Sequence, residues 1–315
     1  MRLLEDAHHA AWYAAYAASY DRPFDAPWLE AEKRVNLTDD AYGTKVAVAA
    51  WDGDTIVGGG AAVLPLQDNR ELAYLDLWVH PDRRRHGHGS ALLRALTEVA
   101  RQHGRTGLFV EAAWGVDVDT DAGHDFLRAR EFTVDLVDAI RQLDLPADVP
   151  EAPVADGYTL HAWRGPCPDA WVDQYADLRR RMNLEAPSGD VGLEAEHWDA
   201  ERVRRDEADA ERAGRDMQVT VARAADGTLA GHTQLSIPRS GTEAYQWDTL
   251  VLGAHRGQGL GLTLKADNMR AAADLLAGKT RILTYNAASN APMIAVNELL
   301  GYRLVAWLAE HVREI

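Results

Sequence analysis

RRRHGHGSALL (residues 83–93) and HRGQGLGLTLK (residues 255–265) are two versions of one turn. Each sets an arginine, Arg84 or Arg256, three residues ahead of a Gly-x-Gly, Gly87-x-Gly89 or Gly259-x-Gly261. Each then runs into apolar residues at helical spacing. The copies stand 172 residues apart, and at the same offset Glu71 matches Glu243, Asp76 matches Asp248, Val79 matches Val251 and Leu92 matches Leu264. These matches follow one strand-turn-helix unit, so the spacing predicts duplication of a whole domain rather than a short-period solenoid.

The elements around each turn repeat in order. The first half reads as helices over 8–20 and 27–36, a hairpin turning at Asp52-Gly53, a strand ELAYLDLWVHP, a helix from Gly87 to about His103, a strand TGLFVEAAW, a helix near 122–130, and last strands in FTVDLVDAIRQLDL. The second reads as a strand YTLHAWR, helices over 168–182 and 194–213, a hairpin turning at Asp226-Gly227, a strand EAYQWDTLVL, a helix from Gly259 to about Ala277, a strand TRILTYN, a helix over 290–300, and a closing strand YRLVAWLAEHVRE. Between them LDLPADVPEAPVADGY, residues 143–158, carries three prolines among small and acidic residues, which places domains at 1–146 and 156–315.

Composition narrows the classes. The chain has 315 residues, a net charge of −16 and one cysteine, Cys167. A single cysteine excludes an internal disulfide and a multi-cysteine zinc site, and it reads as a half-buried thiol rather than a nucleophile. The acidic balance lacks the concentrated basic face of a duplex binder, so no nucleic-acid partner is expected, whereas cationic amines are attracted. No apolar run suits a membrane span and the first residues do not form a signal peptide, so a cytoplasmic protein, monomer or homodimer, with no membrane partner is expected. His86 and His88 flank Gly87 without a third ligand, so no metal is expected.

A strand that ends in Arg-x-x-Gly-x-Gly and enters a helix leaves unpaired backbone N–H groups at the positive end of the helix dipole. Glycine lets a ligand come close to that backbone. The result is a pyrophosphate cradle. The spacing fits neither the Walker lysine loop nor the Gly-x-Gly-x-x-Gly of dinucleotide folds.

Val79-His80-Pro81 with Arg84-x-x-Gly87-x-Gly89, and Val251 with Arg256-x-x-Gly259-x-Gly261, resemble the acyl-CoA signature of the GNAT superfamily of N-acyltransferases. The resemblance covers both halves. It implies a mixed α/β (α+β) fold of two tandem domains, each a twisted, mostly antiparallel sheet flanked by helices, with a splayed strand pair. It implies acetyl-CoA, or another acyl-CoA, as co-substrate and a primary amine of a small molecule as acceptor. By the family's geometry the pantetheine lies along Leu250, Val251 and Leu252, and along Leu77, Trp78 and Val79 in the first half. The diphosphate would rest on the amides of Arg256, Gly257, Gln258, Gly259, Leu260, Gly261 and Leu262, and of Arg84, Arg85, His86, Gly87, His88, Gly89 and Ser90. The family's downstream Asn-x-x-Ala-x-x-x-Tyr-x-x-x-Gly-Phe is similar to NAPMIAVNELLGY, where Asn290, Met293, Gly301 and Tyr302 fit and Asn297 replaces the tyrosine. Asn286 precedes this run and is assigned to the cofactor as well. The same register in the first half gives Thr120, Leu127 and Glu131, which match nothing, so the resemblance favours the C-terminal half as catalytic.

Acyl transfer to an amine needs a proton acceptor, an oxyanion donor and a way to protonate the thiolate, but no covalent nucleophile. The family's base glutamate would fall at Ala73 and Tyr245, so it is absent. Asp248, with Asp76 as counterpart, is similar to the acidic position of polyamine acetyltransferases, as base or amine anchor; capping its own strand or tying the two domains together is the competing role. Glu243 is a second candidate. For the thiolate, Asn297 offers a hydrogen bond, Tyr302 or Tyr285 a proton, and water remains open. MNLEAPSGD, residues 182–190, reads as a substrate loop or a plain surface loop. The competing function is a non-catalytic module that binds or senses acyl-CoA.

Overall fold

The protein is described from a computed structural model covering residues 1–185, 187 and 189–315. The chain forms two compact units: residues 1–137, 189–194 and 307–315 in one, and residues 138–188 and 195–306 in the other.

The first unit runs β1 (Arg2–Leu3), α1 (His9–Ala18), α2 (Glu30–Asn36), β2 (Gly43–Asp52), β3 (Thr55–Pro65), β4 (Leu72–Val79), α3 (His88–Gln102), β5 (Gly107–Gly115) and α4 (Ala122–Arg128). Then β6 (Thr133–Asp144) begins in this unit and passes into the second after Val137. The second continues with β7 (Tyr158–Arg164), α5 (Val172–Glu185), α6 (Ala200–Arg212), β8 (Arg215–Ala224), β9 (Leu229–Pro238), β10 (Glu243–Val251), α7 (Leu260–Ala271), β11 (Arg281–Ala287), α8 (Ala291–Leu299) and the start of β12 (Arg303–Glu314). Residues 307–314 of β12 belong to the first unit.

Strand order is β1-β2-β3-β4-β5-β12 in the first unit and β7-β8-β9-β10-β11-β6 in the second. β4–β5 and β10–β11 are parallel, while β1–β2, β2–β3, β3–β4, β7–β8, β8–β9, β9–β10 and β6–β11 are antiparallel, as expected for the fold class. The compact units thus differ from the contiguous segments 1–146 and 156–315. Residues 138–144 pair with β11, from Asp138 opposite Ala287 to Asp144 opposite Arg281. The C-terminus closes the first unit, where the Ile315 N–H donates to the Thr106 carbonyl at 2.8 Å.

Helical spacing puts Leu92, Leu93, Leu96 and Ala100 of α3 on one buried face, against Val48, Leu64, Leu75 and Leu108 of the sheet. Each fully buried leucine contributes roughly 1.5–3 kcal/mol. In the second unit β9 is buried along its whole length. Leu235 and Ile237 meet Ala266 and Met269 of α7, while Leu229 joins Tyr175, Ala176 and Leu178 of α5.

Several boundaries move for local reasons. α2 begins at Glu30 rather than 27 because the Trp28 N–H donates to the Tyr16 hydroxyl (3.2 Å) and the Leu29 N–H to the Glu32 carboxylate (2.7 Å). α6 begins after Asp199, whose carboxylate caps the Arg202 N–H at 2.8 Å. α7 ends at Ala271 in a series of tight turns, short of Ala277. The last strands of the first half are one strand, β6.

Candidate functional site

Both glycine turns form as the spacing predicts. A short 3-10 turn, residues 81–83 or 253–255, follows the strand, and a left-handed glycine then opens the helix, Gly87 at φ +86° and Gly259 at φ +74°. A Cβ built on either would meet nothing within 4 Å, so the space over this backbone is open. The first helical bonds run from the Ala91 N–H to Gly87 (3.0 Å) and from the Thr263 N–H to Gly259 (3.2 Å). The amides of residues 88–90 and 260–262 precede those bonds and carry the positive end of the dipole. The second glycine of each pair serves packing: a Cβ on Gly89 would stand 3.2 Å from Phe126 of α4, and one on Gly261 would stand 3.6 Å from Val296 of α8. The copies differ one step earlier, where the left-handed position is Gly257 (φ +78°) in one and Arg85 (φ +66°) in the other. Glycine takes that conformation freely and arginine does not.

The signature arginines brace the turns. Arg84 donates to the Val79 carbonyl (3.3 Å) and pairs with Asp21 (2.8 Å) just past α1. Arg256 donates to the Val251 carbonyl (3.0 Å) and pairs with Glu185 (2.7 Å) at the end of α5. Each ties its strand end and turn to the end of its half's first helix.

Next to each turn the parallel pair comes apart. β4 registers with β5 from Leu72–Gly107 to Leu75–Val110, and β10 with β11 from Glu243–Arg281 to Gln246–Thr284. Beyond those points Leu77, Trp78 and Val79 keep register only with β3, and Leu250 and Val251 only with β9. One edge of each strand is therefore open where an added strand would pair. On β9, a Cβ at Gly231 would lie 2.5 Å from the Leu250 carbonyl, so glycine is required for this close approach. Leu252 follows at the start of the 3-10 turn.

The two wedges are not alike. β4 runs opposite β3 without interruption from Tyr74 to Val79, whereas β10 carries a bulge between Gln246 and Thr249. Polar bonds fix the bulge: Gln246 Nε2 donates to Thr233 Oγ1 (3.0 Å) and to the Gln234 carbonyl (2.6 Å), and Thr233 and Thr249 share a hydroxyl bond of 2.8 Å. Bulges re-aim side chains at functional edges.

Asp248 lies within this bulge, and its Oδ2 is 3.0 Å from Arg179 Nε of α5. Arg179 also meets Asp206 (3.1 Å) and lies over the Trp198 ring at 4.1 Å. Burial opposes its charge, but Asp206 and then Asp248 hold the guanidinium above its ordinary pKa. Asp76 is matched by a cation too, Lys33 of α2, at 2.6 Å. Arg179→Met should lower stability by about 2 kcal/mol, because two carboxylates lose their partner but stay partly wet. A urea midpoint unchanged from wild type, with unchanged slope, would remove Arg179 as their support. Behind this pair His232 is fully buried, its ring nitrogens unpartnered among the described residues, and burial followed by Arg179 pushes it down to about 3.

The α8 side holds a second polar chain. Asn290 caps α8 by accepting the Met293 N–H at 3.3 Å. Asn297 is fully buried; its Oδ1 accepts from Lys265 Nζ at 2.5 Å and its Nδ2 donates to Asn286 Oδ1 at 3.0 Å. Tyr302 is buried with its hydroxyl unpartnered among the described residues, and burial raises its pKa. Tyr285 is half-exposed and Glu243 is engaged by Arg281 at 3.1 Å. Asp248 and the Asn297 chain thus lie on the two strands that diverge, β10 and β11 with its covering helix. Cys167 is buried and pushed up to about 12 by burial and then Glu207, which suits a thiol and not a nucleophile. Lys265, Arg179 and Lys33 were not singled out from sequence.

In the first unit Thr120 bonds Asp125, Leu127 is core, and Glu131 is left-handed at φ +65°. Arg130 donates to the Ser90 hydroxyl at 2.5 Å. Ser90, Arg94, Arg101, Arg130 and Arg313 line an open cleft of about 720 Å³ that also includes Glu98. His86 Nδ1 donates to the Arg84 carbonyl (2.8 Å), and no metal-holding group of three ligands occurs among the described residues. No described helix is long and apolar enough to cross a membrane. Of the segment read as a substrate loop or a plain surface loop, Ala186 and Ser188 lie outside the described residues. Residues 189–194 belong to the first unit, with Asp190 and Val191 N–H groups on Asp135 and Glu194 bonded to Asn69.

Residues 10–132 and 175–302 each match the acetyltransferase (GNAT) family. Two proteins named mycothiol acetyltransferase are similar along most of their length. That of Salinispora tropica is 32% identical over 77% of this chain and 74% of its own, and that of Salinispora arenicola 31% identical over 82% and 77%. A solved tandem GNAT protein from the clavulanic acid biosynthesis pathway is 27% identical and covers 99% of this chain and 97% of its own, with a TM-score of 0.84. A GCN5-related N-acetyltransferase from Sphaerobacter thermophilus, 16% identical with a TM-score of 0.71 over 99% and 94%, shares the fold. The chain belongs to the GNAT family of acetyltransferases, in tandem form, and is an N-acetyltransferase.

Proposed function

We propose that the C-terminal half moves an acetyl group from acetyl-CoA directly to the primary amine of a small cationic molecule. The observation that carries this reading is the bulge of β10, which sets Asp248 beside an open strand edge leading to the Gly259 turn. The amides at 256–262 would hold the diphosphate and the edge of Leu250, Val251 and Leu252 the pantetheine; the acyl-CoA supplies an activated thioester when bound. The reading keeps Arg256 as the brace of the turn, with its amide rather than its guanidinium toward the ligand. Asn286 and Asn290 flank the wedge from β11 and α8.

Asp248 anchors the ammonium of the acceptor and receives its proton. An alkylammonium of pKa about 10 is a poor nucleophile at neutral pH, so this deprotonation is required. A backbone N–H on the open edge of β10 faces the developing oxyanion. The amine of the mycothiol-type acceptor implied by the relatives' names belongs in the first panel of substrates. The first half keeps an open turn, but its β4 has no bulge and its downstream register holds Thr120, Leu127 and Glu131 in place of the signature residues, so it binds acyl-CoA without turning it over.

The test is release of free thiol from acetyl-CoA against a panel of amines. Amine-dependent release that rises with acceptor concentration is the expected result. Tight CoA binding with no release on any amine would make the chain a binding module.

A further inference from the structure

Lys265 is a buried amine that no part of the catalytic scheme above uses. It is 1% exposed. Its Nζ reaches Asn297 Oδ1 at 2.5 Å, stands 4.0 Å from the Met293 sulfur, and lies 5.4 Å from the centre of the Tyr302 ring. No carboxylate pairs with it among the described residues. Removing an ammonium from water without an anion beside it is costly.

The duplicated half shows that packing does not require the amine. At the 172-residue offset Lys265 corresponds to Leu93, and in the register of the α8 signature Asn297 corresponds to Leu127. Both leucines sit in the apolar core of the first unit. A leucine pair fills that place in one half, and a Lys–Asn pair fills it in the other. The Lys–Asn pair continues to Asn286, two residues beyond the last registered pair of β10 and β11, Gln246–Thr284. The polar chain therefore ends where the two strands part.

We propose that Lys265 is the proton donor to the thiolate that leaves when the amine attacks, with Asn297 holding its Nζ in place. This rests on the reading of the C-terminal wedge as the acetyl-CoA site. The acceptor nitrogen bonds to the carbonyl carbon, the carbon–sulfur bond breaks, and its electron pair goes to sulfur. The sulfur takes a proton from the Lys265 ammonium and leaves as a thiol. The acceptor ammonium gives one proton to Asp248 and on to water before it attacks, and the proton displaced from nitrogen as the amide forms follows the same route. The neutral lysine regains one from water once the thiol departs, so one proton is released per turnover. Atoms and charge balance with no further reactant.

Burial pushes the Lys265 ammonium down to about 7. A thiol ionises near about 8.5, so transfer from such a lysine to a thiolate runs downhill. Tyr302 is the titratable group beside the amine, and burial keeps it protonated. The charges on neighbouring elements are engaged elsewhere: Arg164 with Asp274, Arg215 with Ser236, Asp248 with Arg179, and Glu298 with Arg141. His232 stays neutral against Tyr175 on the α5 side.

The experiment compares wild type with Lys265→Met and with Lys265→Leu, the residue type of the first half. Calorimetry follows the affinity for acetyl-CoA, and a pH profile follows kcat. Both variants should keep the acetyl-CoA affinity, lose about 10²-fold in kcat, and lose the decline of kcat that wild type shows as pH rises through the lysine's titration. An unchanged kcat profile would overturn the role of Lys265. Absence of CoA binding to wild type at the Gly259 turn would overturn the site reading instead, so the two failures are distinct. Either change leaves Asn297 Oδ1 without its donor, so a urea midpoint taken on each variant separates a loss of activity from a loss of fold.

Discussion

Asp248→Asn should lower kcat/KM by about 10²-fold or more, as removal of a general base does. The side chain keeps its shape, and an amide still accepts a bond from Arg179, so the strand bulge is retained. Acetyl-CoA affinity should hardly change, because the carboxylate is not part of the glycine turn. The pH series separates base from anchor. Well above neutral pH a free amine deprotonates itself, so a base mutant regains part of its rate. A variant equally slow at every pH would make Asp248 a positioning residue, and one as fast as wild type would remove it from the mechanism. KM for a cationic acceptor should also rise with salt, as the field of Asp248 and the acidic chain is screened.

The sequence made the turns legible because their requirements are local. Gly87 and Gly259 must be left-handed, and the apolar spacing of α3 and α7 follows from their own residues. What remained hidden was non-local. Nothing in the pattern of VDLVDAIRQL says which sheet the strand joins, yet residues 138–144 pair with β11 rather than completing the first unit. Asp76 and Asp248 match in sequence, but only one of them lies in a bulge, and that difference depends on Thr233, Gln234 and Gln246 bonding across β9 and β10. The cations facing them, Lys33 and Arg179, come from α2 and α5, at unrelated sequence distances. Lys265 did leave a signal: a lysine in an apolar helical face where the other half has Leu93. Reading it needed the partner Asn297, which sequence showed only as a replaced tyrosine.

The duplication also supplies its own control. Both turns have the same brace, an arginine on the strand-end carbonyl and on an acid at or just past the end of the half's first helix. They differ in what surrounds the wedge: leucines at 93 and 127 against lysine and asparagine at 265 and 297. A change that strains either turn equally therefore separates binding common to both halves from chemistry at one.

Gly259→Val and Gly87→Val are such a pair. Both positions have positive φ, at +74° and +86°, so a branched side chain is disfavoured by about 1–3 kcal/mol at each and projects into the open space above the amides. Calorimetry with acetyl-CoA, paired with thiol release on the best amine, reads both consequences. The account predicts that Gly259→Val abolishes binding at the C-terminal site and turnover with it, while Gly87→Val leaves turnover near wild type. Undiminished turnover in Gly259→Val, with its loss in Gly87→Val, would contradict the assignment of the C-terminal half as the catalytic one.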